Sequence, residues 1–404
     1  MERHALFSSM KPILKLEKPK SILLIDTDFG ISSPRTKNIF LALPKLKQHG
    51  YEIYFLGVRC EKDSSIKKFF KLPIPHFLGP FEFIVSVIYV HLWMIFYWIL
   101  HKKTPATLTH TTSGMYFFSD IFGIHFYNTR WLILQIKNKL LSCNLALHLP
   151  FTIISIIFEN IVLLLNIKAL LLPVSKGIYS CIPVQFKRQR YKIFPNAYDE
   201  TKFNLNTRKK FYNKIRSELN FNPDEKVFLF ASLGHYERKG FWRAFLALKE
   251  LRNRTGSTRF LVVGGTAKRL FRLQKQILNY DPNYRKWITF TGTTHETEKY
   301  FSAADAFLFP SYFEAFCLAE IECAALGIPL LLTQHPGVEM ILKEGVNGLL
   351  LPESPLEMAL KIESDFIKRK EPWVYDVGEA LTQDQYSKKL MEIYSKVLVE
   401  KENN

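Results

Sequence analysis

Two carboxylates with seven residues between them, Glu314 and Glu322, bracket the stretch EAFCLAEIE. The run before them, FLFPS, reads as a strand that ends at the loop holding Glu314. In open α/β sheets, ligands bind beyond the carboxyl ends of parallel strands, and Glu314 falls there. A helix opening within Phe316–Ala319 presents unpaired backbone N–H groups, so Phe316, Cys317 and Leu318 can receive a pyrophosphate. Glu322 lies about one turn further on, where a carboxylate can accept two ribose hydroxyl protons. The pattern suits a nucleoside diphosphate derivative. Glu320 points about 200° away from Glu322 on the same helix and is expected at the surface. A lone Glu near a helix start is more often a cap or dipole partner than a catalyst. The pair together, in a block whose other residues also fit, favours function.

Positioning these groups takes alternating strands and helices. SILLIDTD (residues 21–28), a Gly-bearing loop, a helical pattern over 37–49 (Ile39, Leu43, Leu46) and YEIYFLGV (51–58) make a βαβ opening. Further strands are expected at 106–113, 120–127, 168–175 and 191–195. A second series follows from Lys226 (KVFLFAS, RFLVVGG, WITFTG, AFLFPS, PLLLTQ), with helical segments between, including Gly240–Leu251. Two such series predict an α/β protein of two doubly wound parallel sheets facing a central cleft. The expected division is residues 1–200, residues 201–375, and a C-terminal helical tail, 376–404, returning toward the first domain.

With 404 residues, 48% apolar and 23% charged, the chain is neither disordered, collagen-like nor a small disulfide scaffold. Residues 1–200 hold 25 Lys and Arg against 12 Asp and Glu, whereas the remainder holds 30 against 25. So basic a first half suggests an anionic partner. No RRM-type aromatic-basic motif or zinc finger is present, and nucleic acid is not the expected partner. The cysteines Cys60, Cys143, Cys181, Cys317 and Cys323 form no CxxC pair and no Cys/His cluster. That fits a reducing compartment, and the first twenty residues lack a signal-peptide h-region. One run, FIVSVIYVHLWMIFYWIL (83–100), is long enough to cross a membrane. Crossing would separate the first strands from their sheet partners, so the expectation is a helix buried in the first domain. The alternative is a helix lying in a membrane surface, with Trp93, Tyr97 and Trp98 at headgroup depth and Lys67, Lys68, Lys71, Lys102 and Lys103 flanking it.

The Phe307–Pro352 block resembles the retaining GT-B glycosyltransferases of family 4, marked by an E-x7-E motif. PVSKGI (173–178), IFPNAYDETKF (193–203), ERKGF (237–241), VVGG (262–265) and GVEMILKEGVNGLLLP (337–352) resemble that family's segments in the same order. The resemblance implies that Glu314 binds donor-sugar hydroxyls near the reacting carbon and Glu322 holds the nucleotide ribose. It implies that Lys239, with Arg238, neutralises the diphosphate leaving group. No metal or other cofactor is expected. GIHFYN (123–128) resembles the strand carrying the family's active-site histidine, which makes His125 the candidate; His110 competes with it. Gly30 would let the first βα loop approach the donor or acceptor.

The departures are EAFC for the usual EGFG, Ala197 in the interdomain segment, and Leu233–Gly234 where an arginine often stands, for which Arg238 or His235 would compensate. The resemblance implies transfer from a nucleotide sugar to a glycan acceptor; the basic, aromatic-rich first domain suggests a cytoplasmic protein, peripheral on the inner membrane face, for which a lipid-linked or lipopolysaccharide-like acceptor would fit. An epimerase or hydrolase of the same shape, or an inactive membrane-surface scaffold, are the rival expectations.

Overall fold

The computed structural model describes residues 20–75, 81–138, 143–187 and 190–403. The N-terminal stretch assessed above for a signal peptide lies outside these residues. The first sheet contains β1 (Lys20–Ile25), β2 (Tyr51–Gly57), β3 (Ile66–Lys71), β4 (Leu108–Thr111), β5 (Ile121–Ile124) and β6 (Leu170–Pro173). The second contains β7 (Lys226–Ala231), β8 (Thr258–Val263), β9 (Ile288–Gly292), β10 (Ala306–Phe309), β11 (Leu330–Leu332) and β12 (Gly348–Leu350). The spatial orders are β3-β2-β1-β4-β5-β6 and β9-β8-β7-β10-β11-β12. All pairs are parallel. Both sheets therefore reverse direction beside their first strand, and ligands of such sheets bind at that switch point. Parallel strands covered on both faces need near-continuous apolar runs, and Ile22–Ile25, Val227–Ala231 and Ala306–Phe309 are buried throughout.

Helices α1 (Lys37–Gln48), α2 (Phe81–His101), α3 (Asn128–Lys137), α4 (Cys143–Leu165) and α5 (Lys176–Cys181) belong to the first sheet. Helices α6 (Leu205–Glu218), α7 (Phe241–Thr255), α8 (Ala267–Tyr280), α9 (Thr297–Ser302), α10 (Leu318–Ala325) and α11 (Pro355–Lys361) belong to the second. The last helix, α12 (Gln383–Glu402), starts with a capping box at Thr382 and Gln385 and packs Tyr386, Leu390, Ile393 and Tyr394 into the first domain's core. The 191–195 stretch is not a strand; it makes one bridge, Tyr191 to Leu171.

Burial of the 83–100 run is overturned. In α2 only Ser86, Val87, Val90 and Met94 are buried. Ile88, Leu92, Ile95, Phe96, Trp98, Ile99 and Leu100 are exposed. The helix rests on the sheet by one narrow stripe.

Helices α3 and α4 are joined by Glu159. Its carboxylate accepts the backbone N–H of Asn128 at 2.9 Å and of Thr129 at 3.3 Å, closing the start of α3. Burial outweighs these hydrogen bonds and pushes its pKa up to about 7 from the ordinary 4.5. A carboxyl whose folded value is raised favours folding fully below the unfolded value, and loses that contribution as pH climbs to the folded one. In the Glu159→Gln variant, the fall in melting temperature between pH 4.5 and pH 7 should be smaller than in the parent by about 1–3 °C. Equal pH slopes for the two proteins, followed by circular dichroism, would contradict this.

Candidate active site

The loop after β7 and the loop after β10 are locked together by a glycine. Gly240, at φ 74°, starts α7, and a Cβ there would lie 1.9 Å from the Pro310 carbonyl oxygen. Only a residue without a side chain tolerates both conditions. The preceding Arg238 carbonyl accepts the Tyr312 N–H at 3.0 Å. These contacts hold Arg238 and Lys239 against Glu314. Arg238 Nη1 lies 2.9 Å from Glu314 Oε1, and Lys239 Nζ lies 3.6 Å from the same atom. Burial raises the Glu314 pKa, but the two cations outweigh it and hold the carboxyl below its ordinary value. Burial lowers the Lys239 pKa, and Glu314 together with Cys317 and Glu320 more than reverses that. Both groups are therefore charged near neutrality, in a place where charge is poorly solvated.

The first domain closes onto this cluster. Phe126 meets Phe313 edge to face, with ring centroids 4.9 Å apart, and the Arg238 guanidinium lies 5.7 Å from the Phe126 centroid. The neighbouring His125, just after β5, is partly buried. Its pKa is pushed down to about 4 by burial and by Arg35, against the pull of Asp26. It is a neutral imidazole at pH 7, able to accept or donate one hydrogen bond. The competing His110 is fully internal, with Nδ1 2.9 Å from the Tyr394 hydroxyl on α12, and serves the core.

Glu322 sits on α10 with 7% exposure, and Lys37, at the first position of α1, reaches it across the cleft at 3.2 Å. Burial raises the Glu322 pKa and Lys37 opposes the rise. At the N-terminus of α10 the Cys317 side chain makes no well-aligned capping hydrogen bond, so the first turn lacks the usual polar cap. The Phe316 carbonyl is held by Asn196 Nδ2 at 3.1 Å, from the segment joining the domains. Burial pushes the Cys317 thiol far up, so it is an un-ionised packing group that contributes its backbone.

The structure brings Glu314, Arg238 and Lys239 into direct contact, places His125 one residue from Phe126, and sets Glu322 on the adjoining helix, with Phe316–Leu318 at its start. Gly30 packs beside Glu61: a Cβ there would lie 2.5 Å from Oε2, and the Ile31 N–H donates to the same carboxylate. Glu320 is not on the surface. It is fully buried beside His335, whose Nε2 lies 3.1 Å from Oε1. Helix α10 is covered on more than one face, from Glu320 through Ala325, so an argument from a single buried stripe fails there.

Sequence reasoning missed Lys37, Asn196, Arg269 and the Glu320–His335 pair. Arg269, on α8, donates to the Leu233 carbonyl at 2.8 Å and covers Gly234. It thus brings a guanidinium to the loop whose own arginine is absent. Lys37, Asn196 and Arg269 meet their partners 285, 120 and 36 residues away, and no local motif signals that.

Two doubly wound domains with opposed carboxyl-end loops and this cluster between them define a protein of the GT-B glycosyltransferase fold. Residues 211–371 match the family described as "Glycosyl transferases group 1". An uncharacterised glycosyltransferase of Methanocaldococcus jannaschii, MJ1607, is 25% identical over 177 residues, 43% of this chain and 44% of its own length. The chain thus spans less than half of that curated relative. Sucrose-phosphate synthase from Thermosynechococcus elongatus superposes with a TM-score of 0.68 at 16% identity, covering 94% of this chain and 99% of that one. Anabaena Alr3699/HepE in complex with UDP and glucose superposes at 0.62 and 15%, covering 93% and 99%. WaaG, a glycosyltransferase involved in lipopolysaccharide biosynthesis, superposes at 0.56 and 13%, covering 94% and 92%.

Proposed function

We propose that the protein is a glycosyltransferase of the retaining, family 4 kind, moving a sugar from a nucleoside diphosphate donor to a lipid-linked or lipopolysaccharide-like glycan. The observation that carries the reading is the contact of Glu314 with both Arg238 and Lys239 at the mouth of α10, facing the first domain. The neighbours that bind UDP and glucose or act in lipopolysaccharide biosynthesis support the donor and acceptor classes.

In the reaction, the bond from the anomeric carbon to the diphosphate oxygen breaks and a bond to an acceptor hydroxyl oxygen forms, with the hydroxyl proton leaving. Negative charge grows on the departing phosphate. Lys239 and Arg238, already held by Glu314, are preorganised to stabilise it, as is the start of α10. With two side-chain cations in this role, transfer is expected to proceed in EDTA. Glu322 accepts the ribose hydroxyls, and His125 contacts the sugar as a neutral group. The first domain receives the acceptor, on the cytoplasmic face of a membrane.

A panel of nucleotide sugars tests the donor reading. One or a few should raise the melting temperature and be turned over to nucleoside diphosphate. Product analysis with and without glycan acceptor separates transfer from epimerisation or hydrolysis; no response to any donor would favour an inactive scaffold.

Lys37 has a specific part in this. Without it the Glu322 pKa, already raised by burial, rises further. In Lys37→Met, the affinity for the nucleoside diphosphate should fall, and fall further at pH 6 than at pH 8, because a Glu322 carboxyl raised further stays protonated to higher pH. Equal affinities for variant and parent at both pH values, by calorimetry, would remove Lys37 from the site.

A further inference from the structure

The exposed apolar surface of the first domain is larger than α2. Helix α4, which the sequence reading did not single out, carries Leu149, Ile153, Ile157, Ile161 and Leu164 exposed at intervals of three or four residues, one continuous stripe. On α2 the outward stripe is Ile88, Leu92, Ile95, Phe96 and Ile99. The Tyr116–Phe118 segment links the two. His91 of α2 accepts the Phe117 N–H at 3.1 Å and contacts the ring of Phe118, which is 65% exposed. Asn166, just past α4, binds the Tyr116 carbonyl and the Ser119 N–H. Phe158 of α4 packs into the same small core as Val87, Val90 and Met94. The two stripes thus ride on one rigid platform.

Among the described residues, the exposed charges just past the two helices are basic. Glu82 is the sole Asp, Glu, Lys or Arg in α2, and Glu159 the sole one in Thr152–Leu165. Both are turned to internal partners, Arg59 for Glu82 and the start of α3 for Glu159. Lys71 at the end of β3, Lys102 and Lys103 just past α2, Lys137 at the end of α3 and Lys168 shortly after α4 are all exposed. Lys102 lies over the Trp98 ring at 5.2 Å, and Lys68 over Phe70, which packs on Trp93.

We infer that the α2 and α4 stripes together are a docking face for an anionic phospholipid bilayer. The aliphatic side chains would enter the acyl boundary, Trp98 would sit at headgroup depth, and the lysine ammonium groups would meet lipid phosphates. Spanning is ruled out by packing: the strands before and after α2 belong to one sheet, and its inner stripe is fixed to that sheet's core. A second copy of the chain fits less well, because a two-fold contact through this face would set lysine against lysine. The inference deepens the reading that the acceptor is met at a membrane. It does not depend on which donor is used.

The test is flotation of the full chain with vesicles of phosphatidylcholine alone and of phosphatidylcholine containing about 30% phosphatidylglycerol, at low and high salt. The parent should float with the anionic vesicles, about tenfold or more better than with neutral ones, and less in high salt. The double variant Ile95→Glu/Ile157→Glu should lose about tenfold or more of that binding. Both residues are exposed, so its melting curve and its melting shift with a donor nucleotide should match the parent. The inference is overturned if the parent ignores anionic vesicles, or if the double variant binds them equally. It is also overturned if gel filtration shows a parent dimer that the variant abolishes without vesicle binding. If vesicle binding holds while no donor nucleotide shifts melting, the transfer reading fails and the docking face stands.

Discussion

Glu314→Gln should reduce kcat about 100- to 1,000-fold while changing nucleoside diphosphate affinity by less than about threefold. The substitution keeps the shape of the side chain and an oxygen for Arg238 Nη1, which also binds the Phe313 carbonyl at 2.6 Å, so the loop stays anchored. What disappears is the negative charge. In the transition state the sugar carbon becomes electron-poor as the phosphate leaves, and a buried carboxylate at the carboxyl end of β10 opposes that charge in a medium that screens little. Loss of Glu314 also leaves Arg238 and Lys239 facing each other, and the raised Lys239 pKa should come down. Because the two cations hold the Glu314 carboxyl below the usual 4.5, its own titration should depress activity only on the acid side of that value. Steady-state rates with the best donor, together with nucleotide melting shifts, check this. A variant within about threefold of the parent kcat would remove Glu314 from the chemistry.

The parallel sheets were legible because their strands are covered on both sides and so read as unbroken β-branched, Leu and Phe runs. The edge strand β3 was not: IKKFFK carries three lysines, as an edge exposed to solvent tends to. The α2 run was legible as a helix but not as an exposed one. Its apolar residues surround the helix, and a sequence that is apolar all round looks the same packed or bare. Which stripe is covered depends on His91 finding the Phe117 N–H, and on Val87 and Val90 finding Met115. The acidic pair was legible because loop, helix start and second carboxylate lie within nine consecutive residues. Lys37, Asn196 and Arg269 come to that loop only through the docking of domains and helices.

Glu320→Leu should destabilise the protein by about 3–5 kcal/mol near pH 6, as removal of one member of a buried ion pair does. Glu320 and His335 are both fully buried; neither Glu320 oxygen has a well-aligned hydrogen bond among the described residues, so their 3.1 Å pairing is the main compensation for the charge. Burial lowers the His335 pKa, but Glu320 raises it above 6.5 overall. For a histidine raised on folding, the stabilising contribution is complete below the unfolded value and is lost as pH climbs through the folded one. The penalty in the variant should accordingly be smaller at pH 8 than at pH 6, tending toward about 1–3 kcal/mol, the cost of one buried, unpaired N–H, once His335 is neutral. Adding His335→Leu should restore most of the loss, because apolar side chains in place of a buried pair are often neutral or stabilising. The effect should also reach the donor loop. His335 begins the turn whose Pro336 carbonyl accepts Ser175 Oγ at 3.0 Å, and whose Gly337 is so close to Ala315 that a Cβ would lie 2.4 Å from its carbonyl oxygen. Once that turn loosens, Phe316 and Cys317 lose their backing, so the single variant should bind nucleotide more weakly and the double variant should regain part of the affinity. Urea melts of the parent, both single variants and the double variant at the two pH values give the coupling directly. A single-variant loss below about 1 kcal/mol near pH 6, with additive double-variant energetics, would mean that the pair is not charged in the folded protein.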